Sequence, residues 1–333
     1  MARSVVPTAR LLALGSLLAL STIALTAPEA SAGPPGPDGP ARAEAGPVRH
    51  VYDPTPPGEP ARYLNDHSVV LGSDGRWHLY SIVGDKAPPG EWPDYTKEVH
   101  FAHASAPGPE GPWTTHPYAM TVDPGYFGEE HLWAPHVVEH EGVYHMFYAA
   151  GGGPPGATAT AINLATSTDM FTWTRIPSGP LFRDHLSARD PQVVRVGRTW
   201  VMYYTATETV HGGRHIVAYR TSQDLVHWGE RRIAYADTET VQSHPDSNTE
   251  SPFVVRRGEW WYLFIGPRGG YLGTDVYRSR NPLHFDESDA AGHLPVHAAE
   301  VVTDGDLQWV TGAGWTEDGL YLAELRWQDE PSG

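Results

Sequence analysis

From Ala61 onward, short apolar runs rich in Val, Tyr and Trp alternate with Gly- and Asp-bearing turns, and no window longer than ten residues carries convincing helical periodicity. The pattern predicts a nearly all-β chain. Paired valines recur five times, at Val69-Val70, Val137-Val138, Val193-Val194, Val254-Val255 and Val301-Val302, spaced 68, 56, 61 and 47 residues apart. Each pair is followed by a tight turn (Ser73-Asp74-Gly75, His140-Glu141-Gly142, Val196-Gly197-Arg198, Arg257-Gly258-Glu259, Asp304-Gly305-Asp306). A returning strand comes next, starting at Trp77, Tyr144, Trp200, Trp260 and Gln308, and then a third strand; Trp113, Trp173 and Trp228 mark the start of a fourth, outer one. Five such units of about four short antiparallel strands fit a five-bladed β-propeller, whose radial repetition leaves only short sheet edges. A β-sandwich also has short alternating strands but would not require five copies of one unit.

The chain has 333 residues, no Cys, 23 Lys+Arg against 40 Asp+Glu and a net charge of −17. With only Lys86 and Lys97 as lysines, it lacks the clustered positive charge needed to neutralise a phosphate backbone or to attach to anionic lipid, so neither nucleic acid nor a membrane surface is expected as a partner. Arg3 and Arg10 precede an apolar run ending at Ala30-Ser31-Ala32, which reads as a signal peptide over 1–32 and predicts a secreted protein; an uncleaved membrane anchor is the alternative. Residues 33–60, dense in Pro and Gly, read as a linker, 61–327 as the propeller and 328–333 as a tail. Without disulfides, stability must come from the size of the core, consistent with one large domain and a monomer.

In a propeller the first strand of each blade lines the central axis. Counting back four and three residues from the first valine of each pair gives Asn65-Asp66, Trp133-Ala134, Arg189-Asp190, Glu250-Ser251 and His297-Ala298. Either member of a pair is a candidate to face the axis. Charged residues avoid such converging positions unless paired, yet three carboxylates and a guanidinium sit there. Two carboxylates across a sugar-sized gap, with a third to tune them, are what glycosidic bond hydrolysis requires: one a protonated acid, one ionised. A like-charged cluster in a low-dielectric funnel should raise the pKa of at least one member. The structural alternative is that Asp66, Asp190 and Glu250 cap loops or pair with Arg189.

These residues also carry a resemblance. Leu64-Asn65-Asp66 and Arg189-Asp190-Pro191 resemble motifs of glycoside hydrolase family 32, while Thr249-Glu250-Ser251-Pro252 and Leu132-Trp133-Ala134-Pro135 are similar to motifs of family 43. The order, with one motif in each expected blade, covers about residues 61–327. The resemblance implies a five-bladed propeller hydrolase acting on furanosides or xylosides of the arabinan, arabinoxylan or fructan type. It implies Asp66 as base or nucleophile, Asp190 as the carboxylate that tunes the acid, and Glu250 as general acid, with Asn65, Trp133, His136, Arg189 and His297 as substrate contacts. The chain departs from it at His67-Ser68, where family 32 has Pro-Asn, at Ser251, where that family has Cys, and at His136, where family 43 commonly has Asp. Family 43 likeness implies an inverting reaction, which needs about 6.5–9.5 Å between acid and base to admit water; a family 32 nucleophile implies retention.

No cofactor is required, but His297 resembles a histidine that helps hold a water-coordinated cation, such as calcium, at the axis of some family 43 enzymes. Asp246-Ser247-Asn248 begins like a calcium loop but lacks its Gly and distant Glu. Trp133 is a candidate sugar platform or a packing residue, and Trp92, Tyr126, Phe127 and Tyr271 lie in insertions that overhang the funnel. Other readings are a non-catalytic sugar-binding propeller, a protein-interaction propeller, or a phosphorolytic enzyme using the basic pairs Arg231-Arg232 and Arg256-Arg257 for phosphate.

Overall fold

All five valine-paired runs form strands in a computed structural model that describes residues 39–151, 160–184, 187–209, 212–236, 249–266 and 273–330. Two short strands come first, β1 (Ala41–Ala45) and β2 (Arg49–Tyr52). Then β3 (Arg62–Leu71), β4 (Trp77–Asp85), β5 (His100–Ala106) and β6 (Thr114–Thr121) form an antiparallel sheet in that order. A second sheet is built from β7 (His131–His140), β8 (Val143–Gly151), β9 (Ala161–Ser167) and β10 (Thr174–Arg175), with β11 (Phe182–Arg183) also on β9. β12 (Ala188–Val196), β13 (Thr199–Thr209), β14 (Gly212–Ser222) and β15 (Arg232–Ala236) make the third. The remaining strands are β16 (Phe253–Arg257), β17 (Trp260–Ile265), β18 (Thr274–Ser279), β19 (Ala290–Leu294), β20 (Glu300–Asp304), β21 (Leu307–Gly312) and β22 (Leu320–Asp329). They join β1 and β2 in one nine-stranded sheet of order β16-β17-β18-β19-β1-β22-β21-β20, with β2 also on β22. Among the described residues helix is confined to two three-residue 3-10 turns, at 95–97 and 287–289.

The turns behave as their glycines require: Gly75 and Gly258 sit at φ 77° and 59°, where a side chain would cost energy. Apolar residues of consecutive units then meet face to face. Leu64, Val69 and Leu79 pack with Val302, Trp309 and Leu320, whereas Tyr63, Tyr80 and Phe101 pack with Leu132, Val137 and Tyr148; three further clusters fill the remaining gaps. The first strands touch in a closed circuit, β3 beside β7, β7 beside β12, β12 beside β16, β16 beside β20 and β20 beside β3.

In four of the five units the side chain just before the valine pair ties this circuit together, Phe253 of β16 being the exception. Val137 N–H donates to Ser68 Oγ (3.1 Å), His136 Nε2 to the Val193 carbonyl (3.1 Å), and Gln192 Nε2 to the Val254 carbonyl (3.2 Å). Val69 N–H donates to Glu300 Oε2 (3.1 Å), which joins the last unit to the first. Polar groups facing a crowded axis thus find partners on the neighbouring strand, as buried polar groups must.

Two expected boundaries are corrected. The stretch read as linker contains β1 and β2: Ala41 and Ala43 are buried, and β1 pairs antiparallel with β22 from Ala41 opposite Asp329 to Ala45 opposite Leu325. Ala41–Ala45 is free of Pro and Gly and alternates small with charged residues, and it covers an edge of β22 that would otherwise be open. β22 itself runs two residues into the expected tail. The expected signal peptide lies outside the described residues, as do Asp246-Ser247-Asn248 and Tyr271.

Candidate active site

The matched pairs share one backbone conformation. Asp66, Ala134, Asp190, Ser251 and Ala298, the second member of each, all have positive φ, at 27°, 46°, 54°, 50° and 50°. An L-residue in this region costs roughly 1–2 kcal/mol. Pairing slips at the same point in the first three units, between Asn65 and His67, Trp133 and His136, and Arg189 and Gln192. Each slip is a bulge that re-aims a side chain; Pro135 and Pro191 sit inside two of them, where no ladder donor is needed. Backbone strain therefore recurs where chemistry was expected from sequence.

Around the bulges the carboxylates gather. Ser251 Oγ donates to Asp66 Oδ1, and Ser251 N–H donates to Asp190 Oδ2 at 3.1 Å, so one residue bridges two acids. Asn65 Nδ2 donates to Asp66 Oδ2 at 3.0 Å. Arg189 Nη2 donates to Glu250 Oε1, while its Nε lies 3.6 Å from Asp190 Oδ2. The Glu250 backbone is fixed by its carbonyl, which accepts from Gly266 N–H at 2.6 Å. Asp66, Asp190, Ser251 and their proline neighbours line the axial cavity.

Burial first, then the charge of Asp190 and, less, that of Glu250, push Asp66 well above the usual carboxylate range, against the opposing bond from Ser251. Burial alone would lower Arg189, but the carboxylates of Glu250 and Asp190 outweigh it and hold the guanidinium above its ordinary value. Glu250 is ion-paired with Arg189, and the member of the cluster whose proton affinity is raised is Asp66, the residue expected as base or nucleophile.

The other expected contacts are divided between mouth and floor. Trp133 is half-buried and stacks on His131, with ring centroids 3.8 Å apart. His136 is buried and tied to Val193, with its Nδ1 3.6 Å from Glu300 Oε1. His297 is 3 % exposed, and burial pushes its imidazole down to about 3. A neutral imidazole is the form that binds metal, but among the described residues no three His, Asp or Glu side chains gather closely enough to hold an ion. The arginines considered for phosphate have structural partners: Arg231 with Asp184, Arg257 with Asp329, and Arg256 over the Trp261 ring. Trp92 and Phe127 are exposed, whereas the Tyr126 hydroxyl is bonded to the Ile176 carbonyl at 2.8 Å.

Sequence reasoning did not assign Ser251 or Glu300 to the site. Ser251 was marked by its place in the Glu250-Ser251 pair and as a departure from a motif, but no role was assigned to it. Glu300 occupies the position before Val301 that Ser68, His136 and Gln192 hold in their own units, so extending the register by three residues would have found it.

Residues 59–244, more than half of the chain, match the family described as "Glycosyl hydrolases family 32 N-terminal domain". An extracellular exo-alpha-(1->5)-L-arabinofuranosidase of Cellvibrio japonicus is 26% identical over 61% of this chain. A probable arabinan endo-1,5-alpha-L-arabinosidase A of Aspergillus fumigatus is 38% identical over 35% of it. The chain spans 59% and 34% of the lengths of these two curated relatives. Among solved structures, a GH43_1 enzyme from Xanthomonas citri superposes with TM-score 0.59 at 12% identity, covering 80% of this chain and 87% of that one. An endo-arabinase from Bacteroides thetaiotaomicron gives TM-score 0.59 at 12% identity, covering 81% and 95%. At such identity the likeness speaks to the fold, that of the family 43 and 32 propellers.

Proposed function

We propose, from the premise that the chain belongs to the family of glycosyl hydrolases family 32 N-terminal domains, that it is a secreted hydrolase of arabinan-type furanoside linkages. The gathering of Asp66, Asp190 and Glu250 around Ser251 and Arg189 carries this reading. The closed circuit of five first strands and the five apolar clusters between units support five blades, the nine-stranded sheet counting as two. Relatives named for action on 1,5-linked arabinan support the substrate class, and Ala30-Ser31-Ala32 supports a mature chain starting near Gly33.

In the working state Glu250 protonates the leaving oxygen, Asp66 activates water on the opposite face of the sugar and Asp190 holds their proton affinities apart, giving inversion. The raised proton affinity is at Asp66 and Glu250 is paired with Arg189, so this assignment requires substrate entry to lower the affinity at Asp66 and to loosen the Arg189 pair. The same observation favours a second reading with the roles exchanged, Asp66 as acid and Glu250 as base or nucleophile.

Leaving groups separate the two. If Glu250 is the acid, Glu250→Ala keeps most activity on aryl glycosides with good leaving groups and loses it on arabino-oligosaccharides, while Asp66→Ala loses both. The opposite ranking establishes the exchange. Proton NMR of the first-formed anomer reports inversion or retention. Wild-type protein that releases no product from arabino-, xylo- or fructo-oligosaccharides, or Glu250→Ala protein with unchanged activity on them, defeats the proposal.

A further inference from the structure

Glu98 has no part in the roles assigned above, yet it is a buried carboxyl bonded to groups from two separate parts of the chain. It closes the 3-10 turn between β4 and β5 and is 1% exposed. Its Oε1 accepts from Tyr63 Oη and from Trp315 Nε1, each at 2.8 Å, and its carbonyl accepts from Leu132 N–H at 2.9 Å. Its side chain therefore joins β3, two residues before Asn65, to the turn between β21 and β22, and its backbone carbonyl holds the start of β7 next to Trp133. Two further rings extend this surface outward: Trp92 meets Trp315 edge-on at 5.9 Å, and Tyr95 meets Trp133 at 6.4 Å.

We propose that Glu98 is a positioning residue of this site: it fixes the Trp315 indole, which together with Trp133 forms an aromatic wall for the sugar unit beside the reacting one. The assignment rests on the proposed glycosidase reading. Aromatic faces suit the C–H faces of sugar rings, and an indole held by its N–H keeps a defined tilt. Burial drives the Glu98 carboxyl up to about 7 despite the opposing bonds from Tyr63 and Trp315. The titratable groups facing it are Tyr63 and Asp66 on β3; β7 presents Trp133 with His131 stacked on it, and the β21–β22 turn presents Trp315, with Glu317 two residues on. Its charge acts on Asp66 in the direction that raises proton affinity there.

Two variants separate acceptor from charge. Glu98→Gln keeps an acceptor for Tyr63 and Trp315 but cannot ionise, so the acid limb of the kcat/KM profile moves to lower pH. Glu98→Ala loses the acceptor, and KM for arabino-oligosaccharides rises about tenfold while kcat changes less than KM. A purely structural role would move neither the limb nor the ratio of the two effects. A third readout does not depend on turnover: the Trp315 indole N–H resonance, assigned with Trp315→Phe, titrates with a midpoint near 7 in wild type and is flat in Glu98→Gln. An indole resonance that is flat in wild type, a limb that stays put in Glu98→Gln, or an unchanged KM in folded Glu98→Ala overturns the proposal. Absence of wild-type turnover, by contrast, would defeat the glycosidase reading and leave the indole titration to decide what Glu98 does.

Discussion

Asp66 combines a left-handed backbone, two hydrogen bonds and a carboxyl whose proton affinity the fold raises. All three follow from its place on the bulge of β3, beside Asp190 and across from Ser251. A site that forces an acid to hold its proton is destabilised when the proton leaves. Because the folded-state pKa is raised above the unfolded value of about 3.9, ionisation of Asp66 costs stability as pH climbs from the unfolded toward the folded value, and the cost persists above it. Asp66→Asn removes the ionisation while keeping the shape. It should reduce hydrolysis by about 10²–10⁴-fold, the usual contribution of a positioned acid or base, and raise the melting temperature at pH 8 but not at pH 3.5. Melting curves at the two pH values check this. An equal change at both would mean that the proton is not the cause.

At the element scale, four of the five first strands are tied to a neighbour through the residue before the valine pair, Ser68, His136, Gln192 and Glu300. Gln192 shows what one tie contributes: Gln192→Leu leaves the Val254 carbonyl without this donor. Stability should fall by about 1–3 kcal/mol in denaturant titrations. The valine pairs made this register legible, because the same short count back reaches the entry end of every first strand, three residues for Asp66 and Asp190 and four for Glu250. That is how Asp66, Asp190 and Glu250 stood out as candidates in the sequence. Contacts whose partners lie far apart in sequence left no such periodic mark. Ser251 reaches Asp66 across 185 residues, Trp315 reaches Glu98 across 217, and β1 pairs with a strand more than 280 residues away. The Pro and Gly around β1 then hid its five alternating residues. Deleting residues 39–52 should expose the long edge of β22. The melting temperature should fall by about 10 °C or more and the protein should associate, since bare edges template pairing; size-exclusion chromatography and thermal melts read both effects.

For the whole molecule, the decisive feature is how many imidazoles the sheets bury uncharged. Burial is the leading cause in every case, and it lowers His67, His78 and His103, the last to about 3, as well as His131 to about 4 and His297 to about 3. Asp66, Glu98 and Glu317 are shifted the other way, the latter two up to about 7, again chiefly by burial. The two groups have opposite signs. A histidine held below its unfolded value of about 6.5 contributes fully above that pH, and its contribution is lost as pH falls toward the folded value; the raised carboxyls lose stability as pH rises from about 4 toward 7. With His100, His116 and His145 also lowered, eight imidazoles among the described residues stand against three carboxyls and leave a net loss on acidification between about pH 6 and 4. Charge repulsion works against that loss, because a net charge of −17 relaxes in the same interval. The test is a single buried ring. His103 packs against Tyr80 at 4.8 Å and bonds to His78 at 2.9 Å, so His103→Gln should lower stability at pH 8 through lost packing. It should also flatten the acid limb by about one proton, roughly 1.4 kcal/mol per pH unit. Urea midpoints from pH 4 to 8 measure both effects, and parallel wild-type and variant curves would show that the buried imidazoles do not set the acid limit of the fold.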